Sequence, residues 1–191
     1  MRCFDELEHD HEVIEEALAL LAGVASRVSD ERAFGFGAFA LDFFRHFADA
    51  CHHAKEEQAL FPLLEARGIP REGGPIGMML LEHEEGRRLL ADLERALAAR
   101  DLPLLVASAG AYAGLLRVHI GKERNVLFPL GATRLDANDD RALTERFAAI
   151  ERAAGGDALH ARFHAELATW KLRLGGSALM AAPPHTVAPA R

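Results

Sequence analysis

The chain has 191 residues and a mass of 20.8 kDa, a size typical of one domain with a substantial core. Half of the residues are apolar and 27% are charged, which argues against a disordered chain and against a membrane protein. The net charge of −7 argues against a nucleic-acid partner, because such proteins present a basic face. Two cysteines and an N-terminus without an apolar run predict a cytoplasmic protein rather than a secreted disulfide scaffold.

Glycine, proline and small polar residues divide the chain into segments rich in alanine, leucine, glutamate and arginine, which are strong helix formers. No run alternates apolar and polar residues as a half-buried strand would, so the predicted fold class is all-α. Helices are predicted over residues 4–28, 32–66, 75–99, 103–130, 139–153 and 157–174. Because short connections join the first four helices, we expect an up-down four-helix bundle.

The domain organisation follows from these elements. The bundle is assigned to residues 1–130, and residues 131–176 are expected to form a helical extension that packs on it. The tail, residues 177–191, is expected to be unstructured, because small residues and prolines cannot bury enough surface to order themselves.

Each of the first four helices has an apolar stripe at three- and four-residue spacing, the pattern of a helix that buries one face. One histidine interrupts each stripe, and in two helices a glutamate follows it four residues later. A polar group buried without a partner costs roughly 1–3 kcal/mol, so these interruptions need an explanation. The residues concerned are His11, His52, Glu56, His83, His119 and Glu123.

The two histidine–glutamate pairs lie in a repeated segment. Residues 52–63 and 119–130 are identical at seven of twelve positions, including the final Leu-Phe-Pro-Leu. Side chains four residues apart project from one helix face, so each pair can point at a common centre. The repeat therefore predicts two similar helices that face each other across the core.

Four histidines and two carboxylates from four helices are the ligand set of a two-metal site inside a bundle. Imidazole with carboxylate suits iron, manganese or zinc. We favour two iron ions, with manganese or zinc as possible substitutes, because each repeat offers a carboxylate that could bridge. The alternatives are hydrogen-bonded histidine–glutamate pairs in a structural bundle without metal.

Four segments resemble the hemerythrin-like family, also called the HHE cation-binding domain: residues 10–14, 52–62, 82–87 and 119–129. The resemblance implies a bundle that holds a non-haem di-iron centre with carboxylate and oxo or hydroxo bridges. It also implies a small diatomic or peroxide ligand, such as O2, NO or hydrogen peroxide. By motif position, the resemblance implies that His11 and His52 hold one iron, that His83 and His119 hold the other, and that Glu56 and Glu123 bridge.

The sequence departs from the oxygen-carrying hemerythrins at two positions. Their third helix has a second histidine where this chain has Met79, and their last helix bridges through an aspartate rather than Glu123. One histidine fewer would leave an open coordination position, which is typical of a reactive metal. We therefore expect reaction with O2, NO or peroxide. The alternative is a non-catalytic iron or oxygen sensor whose extension signals to a protein partner of unknown identity.

Several residues keep competing interpretations. His53 and Glu57 offer the same four-residue spacing in a register shifted by one residue. Glu15 could add a seventh ligand, and Tyr112 could lie beside the metals, although a boundary carboxylate and core packing are the simpler interpretations.

The last predicted helix contains a second histidine pair. His160 and His164 are four residues apart, but no carboxylate partner or apolar stripe supports a metal site there. Cys51 is interpreted as a small core residue rather than a ligand.

Overall fold

In the computed structural model, which describes residues 1–27 and 30–174, the chain forms six helices and no strand. The all-α prediction is confirmed, and the helix ends that fall on described residues lie within two residues of the predicted bounds. The predicted end of the first helix at residue 28 and the tail 177–191 lie outside the described residues. The helices are α1 (Arg2–Arg27), α2 (30–66), α3 (Pro75–Ala99), α4 (Leu102–Ala132), α5 (Ala137–Ala154) and α6 (Gly156–Arg173).

The first four helices form the bundle, in which each helix packs against the next and α4 packs back against α1. Two apolar clusters fill its interior. One contains Leu7, Leu60 and Phe128, and the other contains Ile14, Phe44 and Leu116. The buried histidines and glutamates lie on the same helix faces between these clusters, so apolar side chains enclose the polar layer.

Two helices widen into π-helical turns where the sequence repeat lies. The turns Glu56–Leu60 and Glu123–Leu127 each begin at a repeated glutamate, whose carbonyl accepts a hydrogen bond from the N–H five residues later. Pro62 follows the first of these turns, and Pro129 follows the second. Proline lacks an N–H and its ring clashes with the carbonyl four residues earlier, so a regular α-helical turn cannot form there. The repeated Phe-Pro pair therefore explains why both helices widen at the glutamate.

A longer π-helical stretch, Phe44–His53, precedes the first of these turns within α2. Its wide turn separates successive side chains by a smaller angle than the ~100° of an α-helix. As a result, the neighbouring residues His52 and His53 are both buried, at 1% and 4% exposure.

The helix α4 is the one described helix that is long and apolar enough to cross a membrane, judged by length and composition. In the fold it contributes buried residues to the bundle core, including Tyr112, Leu116 and His119. Its other face carries exposed apolar side chains, among them Leu104, Val118 and Val126.

The extension packs on the bundle next to α1 and α2. A capping box at Asp136 starts α5, and the carboxylate of Asp140 accepts hydrogen bonds from the backbone N–H groups of Arg2 and Cys3. The helix α6 places Phe163 and Trp170 against the phenylalanines of α2. The extension therefore covers the outer side of α2 along most of its length.

Candidate metal centre

The buried histidines and glutamates form two groups whose ligand atoms lie within 4.8 Å of one another. One group contains His53, Glu56, His83 and His119. The other contains His11, His52, Glu56 and Glu123. All seven residues are at most 4% exposed, and four different helices supply them. Each group therefore offers enough nitrogen and oxygen atoms to hold one metal ion.

The two carboxylates lie between the groups. Glu123 Oε2 is 3.1 Å from His11 Nε2, and Glu123 Oε1 is 3.1 Å from His119 Nε2. Glu56 Oε2 is 3.4 Å from His83 Nε2 and 3.9 Å from His52 Nε2. Each carboxylate thus contacts histidines of both groups, which is the arrangement that a bridging ligand requires.

Most of these inward atoms have no hydrogen-bond partner. Within the described part of the chain, eight buried side-chain nitrogen or oxygen atoms make no hydrogen bond, and seven of them belong to His11, His52, Glu56 and Glu123. Such atoms are costly unless something satisfies them. Their concentration at one place, with imidazole nitrogen and carboxylate oxygen donors together, fits transition-metal cations.

Four of the five histidines have a carboxylate oxygen within 3.3 Å of Nδ1, and the fifth, His11, has one at 3.6 Å. A carboxylate at Nδ1 holds the proton on that nitrogen and leaves Nε2 free to bind a metal. The pairs are His11 with Glu8, His52 with Asp10, His53 with Asp49, His83 with Glu57 and His119 with Glu82.

A cation supports each of these outer carboxylates. Arg87 donates to both Asp49 and Glu57, so one guanidinium orients the partners of two histidines in the same group. Lys55 donates to Asp10, Lys122 to Glu82 and Arg124 to Glu8. Four of the five candidate ligand histidines are therefore held by a carboxylate and a basic side chain in series, and His11 has the same two kinds of side chain nearby.

The electrostatic environment differs between the histidines of the donor set. Burial, which outweighs the hydrogen bond to Asp10, lowers the pKa of His52 to about 4. Burial and the neighbouring His83 lower the pKa of His53 well below its usual value. Burial also opposes protonation of His119, but Glu123 and Glu82 outweigh it and raise that pKa to about 9. A proton on His119 thus occupies the place that a cation would take.

The glutamates also differ. Burial and the nearby Glu123 carboxylate raise the pKa of Glu56 well above its usual range. Burial alone would raise the pKa of Glu123, but His119 and His11 hold it well below that range. Two buried carboxylates this close favour any positive charge placed between them.

The structure brings together all six residues that the sequence pattern singled out, and it adds His53. The ring of His53 stacks on that of His83 at a centroid distance of 3.8 Å. His53 is therefore an addition to the predicted register rather than a replacement for His52. The sequence has Met79 where the oxygen-carrying hemerythrins have a histidine, which suggested an open coordination position. Because His53 brings the number of histidines at the centre to five, this difference no longer indicates such a position.

The other candidates lie outside both groups. Glu57 contacts His83 from the outer side, and Glu15 is 42% exposed and pairs with Arg124. Tyr112 is buried against Phe44 in the core.

The two histidines of α6, His160 and His164, do not point at a common centre. His164 is exposed, whereas His160 contacts Glu151 at 3.4 Å and Cys51 at 3.8 Å. Burial raises the pKa of the Cys51 thiol to about 11, which fits its interpretation as a core residue.

The fold and the site together define a four-helix bundle with buried histidines and carboxylates in its interior that could hold metal ions. Comparison with known proteins agrees: the hemerythrin HHE cation-binding domain matches residues 4–131. The chain therefore belongs to the hemerythrin HHE cation-binding domain family, whose members bind iron or other cations and small ligands such as O2.

A curated relative is the iron-sulfur cluster repair protein YtfE of Edwardsiella ictaluri (strain 93-146), which is 38% identical over 98 residues. The match covers 47% of this chain and 43% of the relative, so the chain spans less than half the length of this relative. No solved structure matches the chain.

Proposed function

We propose that this protein holds two iron ions in the bundle and uses them to bind or react with O2, NO or peroxide. His53, His83 and His119 would bind one iron, and His11 and His52 the other. Glu56 and Glu123 would bridge. Manganese or zinc could replace iron in the same donor set.

One observation carries this proposal: six buried ligand atoms that point at one centre have no hydrogen-bond partner among the described residues, namely Nε2 of His11 and His52 and both carboxylate oxygens of Glu56 and Glu123. A structural bundle would satisfy these atoms or replace them with apolar ones, because buried unpaired polar groups destabilise a fold. Two divalent cations satisfy all of them at once. Histidine–carboxylate pairs around the outside support the same conclusion, since they are the usual supports of metal-bound imidazoles.

The unequal number of histidines suggests where a small ligand binds. Three histidines would hold the first iron and two the second, so the His11 and His52 side has the lower ligand count. Phe128 stacks on His11 with ring centroids 5.6 Å apart, and apolar side chains enclose the layer. The protein would therefore exclude bulk water from a diatomic or peroxide ligand at this position.

When bound, two ferrous ions can supply electrons to such a ligand. The chain's own part is to fix the histidine orientations and to place the two carboxylates between the histidines of both groups. The relative named for iron-sulfur cluster repair supports a role in oxidative or nitrosative stress. We also propose a cytoplasmic location, which is consistent with two cysteines that are both free and buried.

The test is the iron content and visible spectrum of the purified protein, beside a variant that combines His52→Ala and His119→Ala. We expect about two irons per chain in the wild type. Bands typical of bridged ferric iron should be lost in the variant. The control is His9→Ala, because His9 is also on α1 but its side chain is 69% exposed.

An anaerobically iron-loaded wild type without bound metal would overturn the proposal. Equal iron in the wild type and the double variant would overturn the ligand assignment.

A second candidate function is a non-catalytic iron or oxygen sensor. It is favoured by one contact: Glu151 of α5 lies 3.2 Å from Lys55, which neighbours Glu56. In this case metal occupancy would alter how the extension packs. Binding of NO or peroxide without turnover, together with metal-dependent hydrogen exchange in α5 and α6, would distinguish the sensor from the reactive protein.

A further inference from the structure

The lysine of the first repeat is buried between the bundle and α5. The side chain of Lys55 is 2% exposed, and its Nζ lies 2.9 Å from Asp10 Oδ2 and 3.2 Å from Glu151 Oε2. A buried ammonium needs close negative partners, since desolvation otherwise costs several kcal/mol. Lys55 therefore depends on one carboxylate from α1 and one from α5.

The Asp10 carboxylate also faces the metal centre. Its Oδ2 accepts from Lys55 and lies 3.3 Å from His52 Nδ1. The same oxygen thus serves both an ammonium and a ligand histidine. Glu151, Lys55, Asp10 and His52 form one series of contacts that leads from α5 to the centre.

A second contact joins α5 to the same segment of α2. The guanidinium of Arg146 donates to the carbonyl of Gln58 at 2.6 Å. In an α-helix that carbonyl would accept from the residue four positions later, which is Pro62 and has no N–H. Arg146 therefore satisfies the carbonyl inside the π-helical turn that begins at Glu56.

We propose that α5 is a working part of the metal centre and that Glu151 is a positioning residue for His52. The inference rests on the proposed function, because it takes His52 to be a metal ligand. Glu151 takes part of the contact with the Lys55 ammonium, so that Asp10 Oδ2 remains available to accept from His52 Nδ1–H. That hydrogen bond orients the imidazole so that Nε2 is directed at the centre. Since Glu151 lies beyond the family-matched residues 4–131, this support is a feature of the extension.

The test compares Glu151→Gln with Glu145→Gln, a control on the same helix at an exposed position. Iron affinity is measured by chelator competition on the full chain. We expect Glu151→Gln to weaken one of the two iron sites about tenfold, the lower end of the range for losing an outer partner of a ligand. Glu145→Gln should match the wild type.

A rescue variant separates positioning from general stability. Combining Lys55→Met with Glu151→Met removes the ammonium that competes for Asp10, so His52 regains the full charge of that carboxylate. We expect this double variant to bind iron more tightly than Glu151→Gln. An affinity of the double variant no tighter than that of Glu151→Gln would contradict the inference. If Glu151→Gln folds poorly, the double variant is compared with the wild type, whose iron affinity it should match. A weakened iron site in a folded double variant would then overturn the inference.

The metal-free protein gives an independent measurement. In 15N spectra of labelled histidine, His52 should carry its proton on Nδ1 in the wild type, and Glu151→Gln should shift the proton towards Nε2. Unchanged tautomer and affinity in Glu151→Gln would overturn this inference while the wild type still binds iron. A wild type that binds no metal would instead overturn the proposed function.

Discussion

The two repeated segments have nearly the same sequence but different surroundings. In the first, 52–63, Lys55 is buried and its ammonium contacts a carboxylate of the extension. In the second, 119–130, the equivalent Lys122 is 37% exposed and pairs with Glu82 of the bundle. Lysine at the same repeat position is thus buried in the first segment and partly exposed in the second. The extension, rather than the repeat, determines this difference.

A second difference sets how many histidines each of the two groups contains. The residue after the first histidine is His53 in one repeat and Ile120 in the other. Both are buried, but His53 joins His83 and His119, whereas Ile120 packs in the apolar core. One substitution between two otherwise similar segments therefore produces a centre with three histidines on one side and two on the other.

The largest expected difference between the repeats concerns the lysines. Lys55→Met leaves Asp10 and Glu151 without their buried cation, and removing one member of a buried pair costs roughly 3–5 kcal/mol. Lys122→Met removes a partly exposed pair and should cost less than about 1 kcal/mol. Urea unfolding of the metal-free variants measures both. Similar losses in the two variants would contradict the assigned difference in burial.

The residue pair His53 and Ile120 gives the next prediction. His53→Ile makes the first repeat resemble the second and removes one imidazole from the three-histidine side. We expect the affinity of one iron site to fall by about 100-fold or more, because loss of an outer partner of a ligand alone costs 10–100-fold. The other iron site should keep its affinity. Iron titration with a competing chelator measures this.

His46→Ile is a suitable control, because this histidine is also on α2 but its side chain is 53% exposed. Equal weakening of both iron sites in His53→Ile would show that the two groups do not act as separate metal positions.

The sequence predicted the fold and six of the seven residues that the structure brings together in the candidate site, because both depend on periodic patterns. Helical spacing locates His11 and His83, and the repeat locates the two histidine–glutamate pairs. The sequence did not predict that His52 and His53 would both lie at the centre. In a regular α-helix the two neighbouring side chains point to different faces, so they were treated as alternatives. The available signal was proline at the same position in both repeats, which marks a helix that cannot stay regular. Glu151 had no such signal, because its contact with Lys55 joins residues 96 positions apart and depends on how α5 packs.

The smallest predicted effect is a pH dependence of opposite sign for the equivalent histidines His52 and His119. His52 has a folded-state pKa of about 4, below its ordinary 6.5, so the metal-free fold resists its protonation and loses stability as pH falls below 6.5. His119 has a raised pKa of about 9, so its contribution is complete below 6.5 and is lost as pH rises through 9. The measurement is the unfolding free energy of His52→Leu and His119→Leu relative to the wild type, between pH 5 and 8.

From pH 6.5 to 5, the wild type should lose about 2 kcal/mol relative to His52→Leu, since each pKa unit corresponds to about 1.4 kcal/mol. From pH 6.5 to 8, it should lose a similar amount relative to His119→Leu. Iron loading should abolish the His119 trend, because a bound cation replaces the proton at its Nε2. The His52 trend should persist, because the folded-state imidazole of His52 is unprotonated with or without the cation. Parallel pH profiles for the two metal-free variants would show that the repeats place their histidines in equivalent electrostatic environments, contrary to the structure.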